Sequence, residues 1–68
     1  MYENLTDSTV SRALLLIEAD STMREKLSDA FTRAGFQVSL ADTGVVGLDL
    51  AQQIRPDLVL LDLELQGW

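Results

Sequence analysis

The chain alternates between short apolar runs and segments in which apolar residues recur at helical spacing. Two runs, Ala13–Ile17 and Leu58–Leu61, have no polar interruption. Each is too short for a helix of its own and is typical of a strand that is covered on both faces, as in a parallel α/β sheet. Between them, Phe36, Val38 and Leu40 alternate with polar residues. This alternation predicts a strand with one wet face, as at the edge of a sheet.

The segment after the first run has the pattern of an amphipathic helix. Thr22 and Glu25 have the spacing of a capping box, and Asp20 and Ser21 are alternative N-caps. Gly35 predicts the end of the helix. Arg24 falls on the polar side of this helix. The predicted buried stripe consists of Met23, Leu27, Ala30, Phe31 and Ala34.

A second helix is predicted after a turn at Ala41–Gly44. Gly47 lies within it and costs the helix about 1 kcal/mol relative to alanine. Pro56 pushes Arg55 out of helical geometry, so the helix ends there and the last strand follows. The apolar residues of this second helix are Val45, Val46, Leu48, Leu50, Ala51 and Ile54.

The predicted order is strand, helix, strand, helix, strand. Helices of this length between strands are typical of parallel βαβ units with right-handed connections, so the predicted fold class is α/β. Residues 1–12 are polar and without sustained periodicity, and we expect them to form a flexible leader. Residues 13–68 then form the folded part, which ends after the third strand.

The composition of the chain excludes several kinds of site and partner. The 68 residues form at most one small domain, and the absence of cysteine and histidine excludes disulfides and thiolate or imidazole metal sites. A net charge of −6 argues against binding to the nucleic-acid backbone. No apolar stretch approaches the roughly 20 residues of a membrane span, and the N-terminus does not resemble a signal peptide. We therefore expect a soluble, cytoplasmic protein.

Acidic residues follow both apolar runs: Glu18 and Asp20 after the first, and Asp62 after the last. The carboxyl ends of neighbouring parallel strands meet at one edge of a sheet, which is where ligands bind in such folds. Carboxylates clustered there would repel one another, and protonation or a bound hard cation such as Mg²⁺ would relieve this repulsion. Solvated loop residues are the simpler alternative, and helix capping by itself accounts for Asp20. An acid–base pair for hydrolysis is another alternative, although nothing in the sequence forms a substrate pocket.

Taken together, the motifs resemble the receiver domain of bacterial two-component response regulators over Ala13–Trp68. The resemblance implies a flavodoxin-like parallel sheet, of which this chain holds an incomplete βαβαβ portion. It is carried by four segments: Leu14–Arg24, Ala34–Val38, Ala41–Gly44 and Pro56–Leu63.

The resemblance also implies the site. Asp62 matches the phosphoacceptor, which would receive phosphate from a histidine kinase or a phosphotransfer protein. Glu18, Asp62 and the backbone carbonyl of Glu64 match the positions that hold Mg²⁺, and Asp20 would reach the ion indirectly through a water. Ala19 stands where the family usually has an acidic ligand, and its methyl group cannot coordinate a cation. Mg²⁺ binding is therefore expected to be weak or absent.

On this resemblance, the chain is a signalling module that passes a signal to an output domain or partner, and not an enzyme. Family members continue with further strands and helices that supply a hydroxyl residue and a lysine to the phosphoryl group. We therefore expect a fragment of a receiver or a truncated product, whose uncovered third strand favours self-association. The alternative is a degenerate receiver that acts as a protein-interaction module without phosphorylation.

Overall fold

The structure, a computed structural model, describes residues 12–64. Its elements are β1 (Arg12–Ile17), α1 (Ser21–Arg33), β2 (Phe36–Ala41), α2 (Gly44–Ile54) and β3 (Leu58–Leu61). The predicted alternation of strands and helices is confirmed.

Three residues lie in other elements than predicted. Arg12, assigned to the leader, is the first residue of β1. Ala41 and Gly44, both assigned to a turn, are the last residue of β2 and the first residue of α2. The remainder of the predicted leader, residues 1–11, lies outside the described residues, as do residues 65–68.

The strands form a parallel sheet of order β2-β1-β3. This is the order of the first strands of a flavodoxin-like sheet, so the chain forms an incomplete receiver-type α/β fold. The connection through α1 crosses the sheet in one direction and the connection through α2 crosses it in the other. Right-handed connections therefore place the two helices on opposite faces.

The core is centred on β1, because this strand has a neighbour on each side. Leu14, Leu15 and Leu16 are almost fully buried. On one face α2 packs against the sheet through Leu50 and Ala51. The buried sheet residues in that cluster are Leu15, Ile17 and Ala41.

The start of α1 corrects one prediction. The N-cap is Asp20, whose carboxylate accepts hydrogen bonds from the backbone N–H groups of Thr22 (2.9 Å) and Met23 (3.4 Å). The capping box of Thr22 and Glu25 is wrong, because the helix begins at Ser21 and Thr22 is already inside it. Gly35 follows the helix with a φ of 101°, as predicted for the residue that ends it.

The buried stripe of α1 is only partly confirmed. Leu27 and Phe31 are half-buried, and the ring of Phe31 meets that of Phe36 edge to face at 5.8 Å. Met23, Ala30 and Ala34 are exposed, contrary to the prediction, whereas Arg24, predicted to point outward, is half-buried. The reason is that α1 packs mainly on the edge strand β2, so that of its stripe only Leu27 and Phe31 are partly covered.

Gly47, which has a low helix propensity, has a packing role in α2. A Cβ atom added at Gly47 would lie 2.7 Å from Cγ1 of Ile17 and closer still to Cδ1. Glycine therefore allows the helix to approach β1, which offsets its low helix propensity. Thr43 caps the helix by accepting a hydrogen bond from the N–H of Val46 at 3.1 Å. Arg55 leaves helical geometry with a φ of 48°, as predicted.

The burial predicted for β3 is wrong for the part of the chain that the structure describes. Leu58, Val59 and Leu61 are all exposed, and only Leu60 is half-buried. Within residues 12–64, β3 pairs with β1 alone and neither helix packs closely on it. The edge position predicted for β2 is confirmed, although Leu40, on the side expected to be covered, is exposed.

Candidate functional site

The carboxyl ends of β1 and β3 form a shared rim. Ile17 lies beside Leu61, and the same register continued by one residue places Glu18 beside Asp62. The Asp62 N–H donates to the carbonyl of Ile17 at 3.1 Å, and the Glu18 N–H donates to that of Ala41 at 3.0 Å. The predicted adjacency of the two strand ends is therefore confirmed.

Glu18 is the buried acid of this rim. Its side chain is only 9% exposed, and its Oε2 accepts a hydrogen bond from the N–H of Asp20 at 3.1 Å. This is the one hydrogen bond that residues 12–64 supply to the carboxylate. A buried carboxylate with a single neutral donor has acceptor capacity left over, which a cation or a ligand donor can use.

Asp62 is the accessible acid of the rim. It is half-buried, and its Oδ1 accepts a hydrogen bond from the N–H of Glu64 at 3.0 Å. This contact across two residues is an Asx-turn, which holds the backbone of Glu64 close to the carboxylate. Oδ2 accepts no hydrogen bond from the described residues. The turn therefore orients one oxygen of Asp62, and the other has no hydrogen-bond donor among residues 12–64.

Arg24 is a residue of the site region that the sequence analysis missed. Its Nη1 donates to the carbonyl of Glu18 at 2.9 Å and to that of Ala19 at 3.3 Å. Side chains at the start of a helix point back toward its N-terminus, and this direction was the signal that could have identified the contact. Arg24 thereby holds the β1–α1 loop and places a permanent positive charge beside the rim.

The expected cluster of three acids does not form. Asp20 directs Oδ1 to the first amides of α1, so its carboxylate is engaged in capping. Ala19 carries no ligand atom on its exposed side chain. Accordingly, no three acidic side chains within residues 12–64 converge as a metal site would require. The rim offers the carboxylates of Glu18 and Asp62, with the backbone of Glu64 close by.

The helices carry no sign of a membrane span. Across residues 12–64, neither helix combines the length and the apolar character that crossing a bilayer requires.

Comparison with known proteins agrees with this geometry. The model of the response regulator receiver domain family matches residues 14–68. The transcriptional regulatory protein AfsQ1 of Streptomyces coelicolor is 46% identical over 55 residues, which are 81% of this chain and 24% of that protein. The transcriptional activator protein PfeR of Pseudomonas aeruginosa is 45% identical over 70 residues, covering 98% of this chain and 23% of that protein.

A shorter relative is also similar. The sporulation initiation phosphotransferase F of Bacillus subtilis is 33% identical over 58 residues, which are 85% of this chain and 47% of that protein. The chain thus spans about a quarter of the two transcriptional regulators, and about half of this phosphotransferase.

Proposed function

The chain belongs to the response regulator receiver domain family of two-component signalling, and from that premise we propose that Asp62 is its phosphoacceptor. The donor would be a phosphohistidine of a histidine kinase or a phosphotransfer protein. The observation that supports this is the position of Asp62 at the carboxyl edge of β3, beside buried Glu18 and with one carboxylate oxygen available.

The proposed step is a single phosphoryl transfer. An Asp62 carboxylate oxygen forms a bond to phosphorus while the bond from phosphorus to the histidine nitrogen breaks, and the electron pair stays on that nitrogen. The product is an acyl phosphate on Asp62 and, because the second ring nitrogen of the phosphohistidine is protonated in this step, a neutral imidazole. The Asx-turn through Glu64 orients the carboxylate, and Glu18 adds a negative charge that disfavours transfer unless it is compensated.

Receiver domains typically bind Mg²⁺ at this site, and the rim only partly fits the ion. Glu18 and Asp62 supply the carboxylate oxygens that Mg²⁺ prefers, and the backbone carbonyl of Glu64 would be the third ligand. Ala19 supplies nothing, so we propose weak binding. A bound ion would neutralise the charge of the transferring phosphoryl group.

Phosphorylation would replace the single negative charge of the Asp62 carboxylate with a phosphoryl group of about −1.5 to −2, beside the carboxylate of Glu18. The added repulsion at the ends of β1 and β3 favours a different packing of the loops that follow these strands. We propose that an output domain or a separate partner protein recognises this change. In this proposal the chain receives and passes on a signal and does not turn over a substrate.

The test is intact-mass analysis of the full chain after incubation with Mg²⁺ and either a phosphorylated histidine kinase or acetyl phosphate. We expect a mass increase of one phosphoryl group, which Asp62→Asn abolishes and which Asp42→Asn, at an exposed acid after β2, retains. Absence of phosphate on the unmodified chain would contradict the proposal. Modification that persists in Asp62→Asn would assign the phosphate to another residue.

Exposed apolar side chains support a second candidate, a protein-interaction module that works without phosphate. β3 exposes Leu58 and Val59, and α2 exposes Val45, Val46 and Leu48. Such groups favour association, including self-association through the side of β3 that no strand within residues 12–64 pairs with. Sedimentation velocity of the unmodified chain and of Asp62→Asn, each with and without acetyl phosphate and Mg²⁺, tests this function. Association that is equally strong in both favours it, and association that depends on phosphorylated Asp62 favours the first proposal.

A further inference from the structure

Asp57 makes a contact that the site does not explain. It lies just before β3 and binds Ala13, which is 44 residues earlier in the chain. The Asp57 N–H donates to the carbonyl of Ala13 at 2.8 Å, and the Ala13 N–H donates to Oδ2 of Asp57 at 2.8 Å. The two residues are therefore joined in both directions at the amino end of the sheet.

The pairing of β3 with β1 needs such a contact because its apolar pattern does not specify a register. Leu58–Leu61 contains only leucine and valine, and it lies against the aliphatic run Leu14–Ile17. A slip by one residue would still place aliphatic side chains opposite one another along most of the ladder. In a strand with one polar face, the same slip would expose the apolar set and be strongly disfavoured.

A slip of β3 would change which residue lies beside Glu18 at the rim. Glu18 lies beside Asp62 only because Ile17 is paired with Leu61. Moving β3 by one residue would replace Asp62 with Leu61 or Leu63 at that position. The chemistry of the site therefore depends on a register that the apolar residues leave open.

We propose that Asp57 is a positioning residue that sets the register of β3 on β1 and so holds Asp62 beside Glu18. Its bearing on phosphoryl transfer rests on the proposed function, whereas the register itself does not. In the observed register Asp57 is the neighbour of Ala13, one step before the pair of Leu14 and Leu58.

Both slipped registers lose this contact. A slip in one direction brings Pro56 opposite Ala13, and proline has neither a backbone N–H to donate nor a side-chain acceptor. A slip in the other direction brings Leu58, which also has no side-chain acceptor. Each slip leaves the Ala13 N–H without the carboxylate, and hydrogen bonds to charged groups are among the stronger ones in proteins.

The experiment reads the register directly, by interstrand nuclear Overhauser effects in the isotope-labelled full chain. Contacts of Ile17 with Asp62 report the β1–β3 register, and contacts of Leu14 with Val38 report the β1–β2 pairing as an internal reference. The variants are Asp57→Ala, which removes the acceptor, and Asp57→Asn, which keeps an oxygen that can accept. Asp42→Ala is the matched control at an exposed aspartate outside the contact.

We expect Asp57→Ala to lose the Ile17–Asp62 contacts and keep the Leu14–Val38 contacts, while Asp57→Asn and Asp42→Ala keep both. Retention of both sets in Asp57→Ala would overturn the proposal. Loss of both sets would also overturn it, because that is the result for a residue that stabilises the whole fold. So would an Asp57→Asn variant that behaves like Asp57→Ala, or an unmodified chain that lacks the Ile17–Asp62 contacts.

The outcome is independent of the phosphorylation test. A chain that takes up no phosphate but shows the expected register changes refutes the phosphoacceptor and leaves the role of Asp57 intact. A chain that is phosphorylated on Asp62 equally well in Asp57→Ala, with unchanged register contacts, refutes the role of Asp57 and leaves the phosphoacceptor intact.

Discussion

β1 and β3 are nearly the same in sequence and opposite in environment. Each contains an unbroken aliphatic run followed by an acid, and in the parallel sheet Leu14 is the direct neighbour of Leu58. Yet Leu14 is 0% exposed and Leu58 is 45% exposed. The difference arises because β1 has a strand on each side and helices over both faces, whereas β3, within residues 12–64, has β1 alone.

The acids that follow the two strands differ in the same way. Glu18 after β1 is buried, and Asp62 after β3 is half-buried with one oxygen available. The central strand therefore supplies a fixed charge and the outer strand supplies the accessible group. In the proposed phosphoryl transfer, the accessible acid would react and the buried acid would shape the electrostatics around it.

The largest expected difference in stability is between alanine substitutions of Leu14 and Leu58. Leu14→Ala should lower the free energy of unfolding by about 2 to 5 kcal/mol, because it removes buried methyl groups and leaves a cavity. Leu58→Ala should cost about 1 kcal/mol or less, because much of its side chain is already in water. Urea unfolding followed by circular dichroism measures both. Equal losses would show that β3 is covered in solution.

The next effect concerns the helix that covers β1. Gly47→Ala should destabilise the chain by about 1 to 3 kcal/mol, because the new methyl group would overlap Ile17. This outweighs the gain in helix propensity of about 1 kcal/mol. The double variant Gly47→Ala with Ile17→Val tests the overlap, since a smaller neighbour should reduce the loss. A stabilised single variant would contradict the close packing of α2 on β1.

The loop after β1 should depend on Arg24. Arg24→Ala removes two hydrogen bonds to the carbonyls of Glu18 and Ala19, and we expect a loss of about 1 to 2 kcal/mol. Amide hydrogen exchange in the loop should accelerate, while exchange in β3 should stay unchanged relative to the rest of the chain. Lys26→Ala, at an exposed cation on the same helix, is the control. Equal effects of the two variants would show that the contact does not order the loop.

The smallest effect distinguishes the two candidate caps of α1. Asp20→Ala should cost about 0.5 to 2 kcal/mol, as is usual for loss of an N-cap, and should lower the helical signal in circular dichroism. Thr22→Ala should leave the free energy of unfolding and the helical signal nearly unchanged, because the Thr22 side chain does not cap the helix. The reverse order of effects would restore the capping box that the sequence predicts.

Much of the fold could be predicted from local patterns. The order of strands and helices, the stop at Gly35 and the exit of the chain at Pro56 each depend on a few neighbouring residues. The meeting of Glu18 and Asp62 also followed, because parallel strands in one sheet share a carboxyl edge. The resemblance of these segments to receiver domains added the family, which the comparison with known proteins then confirmed.

What only the tertiary structure decided was which of several equivalent residues is used. Asp20 rather than Thr22 caps α1, Arg24 turns back onto the loop, and Asp57 reaches Ala13 across the sheet. The first two contacts are local but depend on side-chain directions that hydrophobic periodicity does not report. The third joins residues 44 positions apart, which only folding brings together. The same holds for burial. An aliphatic run specifies a strand, but the number of neighbours around that strand decides whether it becomes core, as β1 does, or is exposed, as β3 is within residues 12–64.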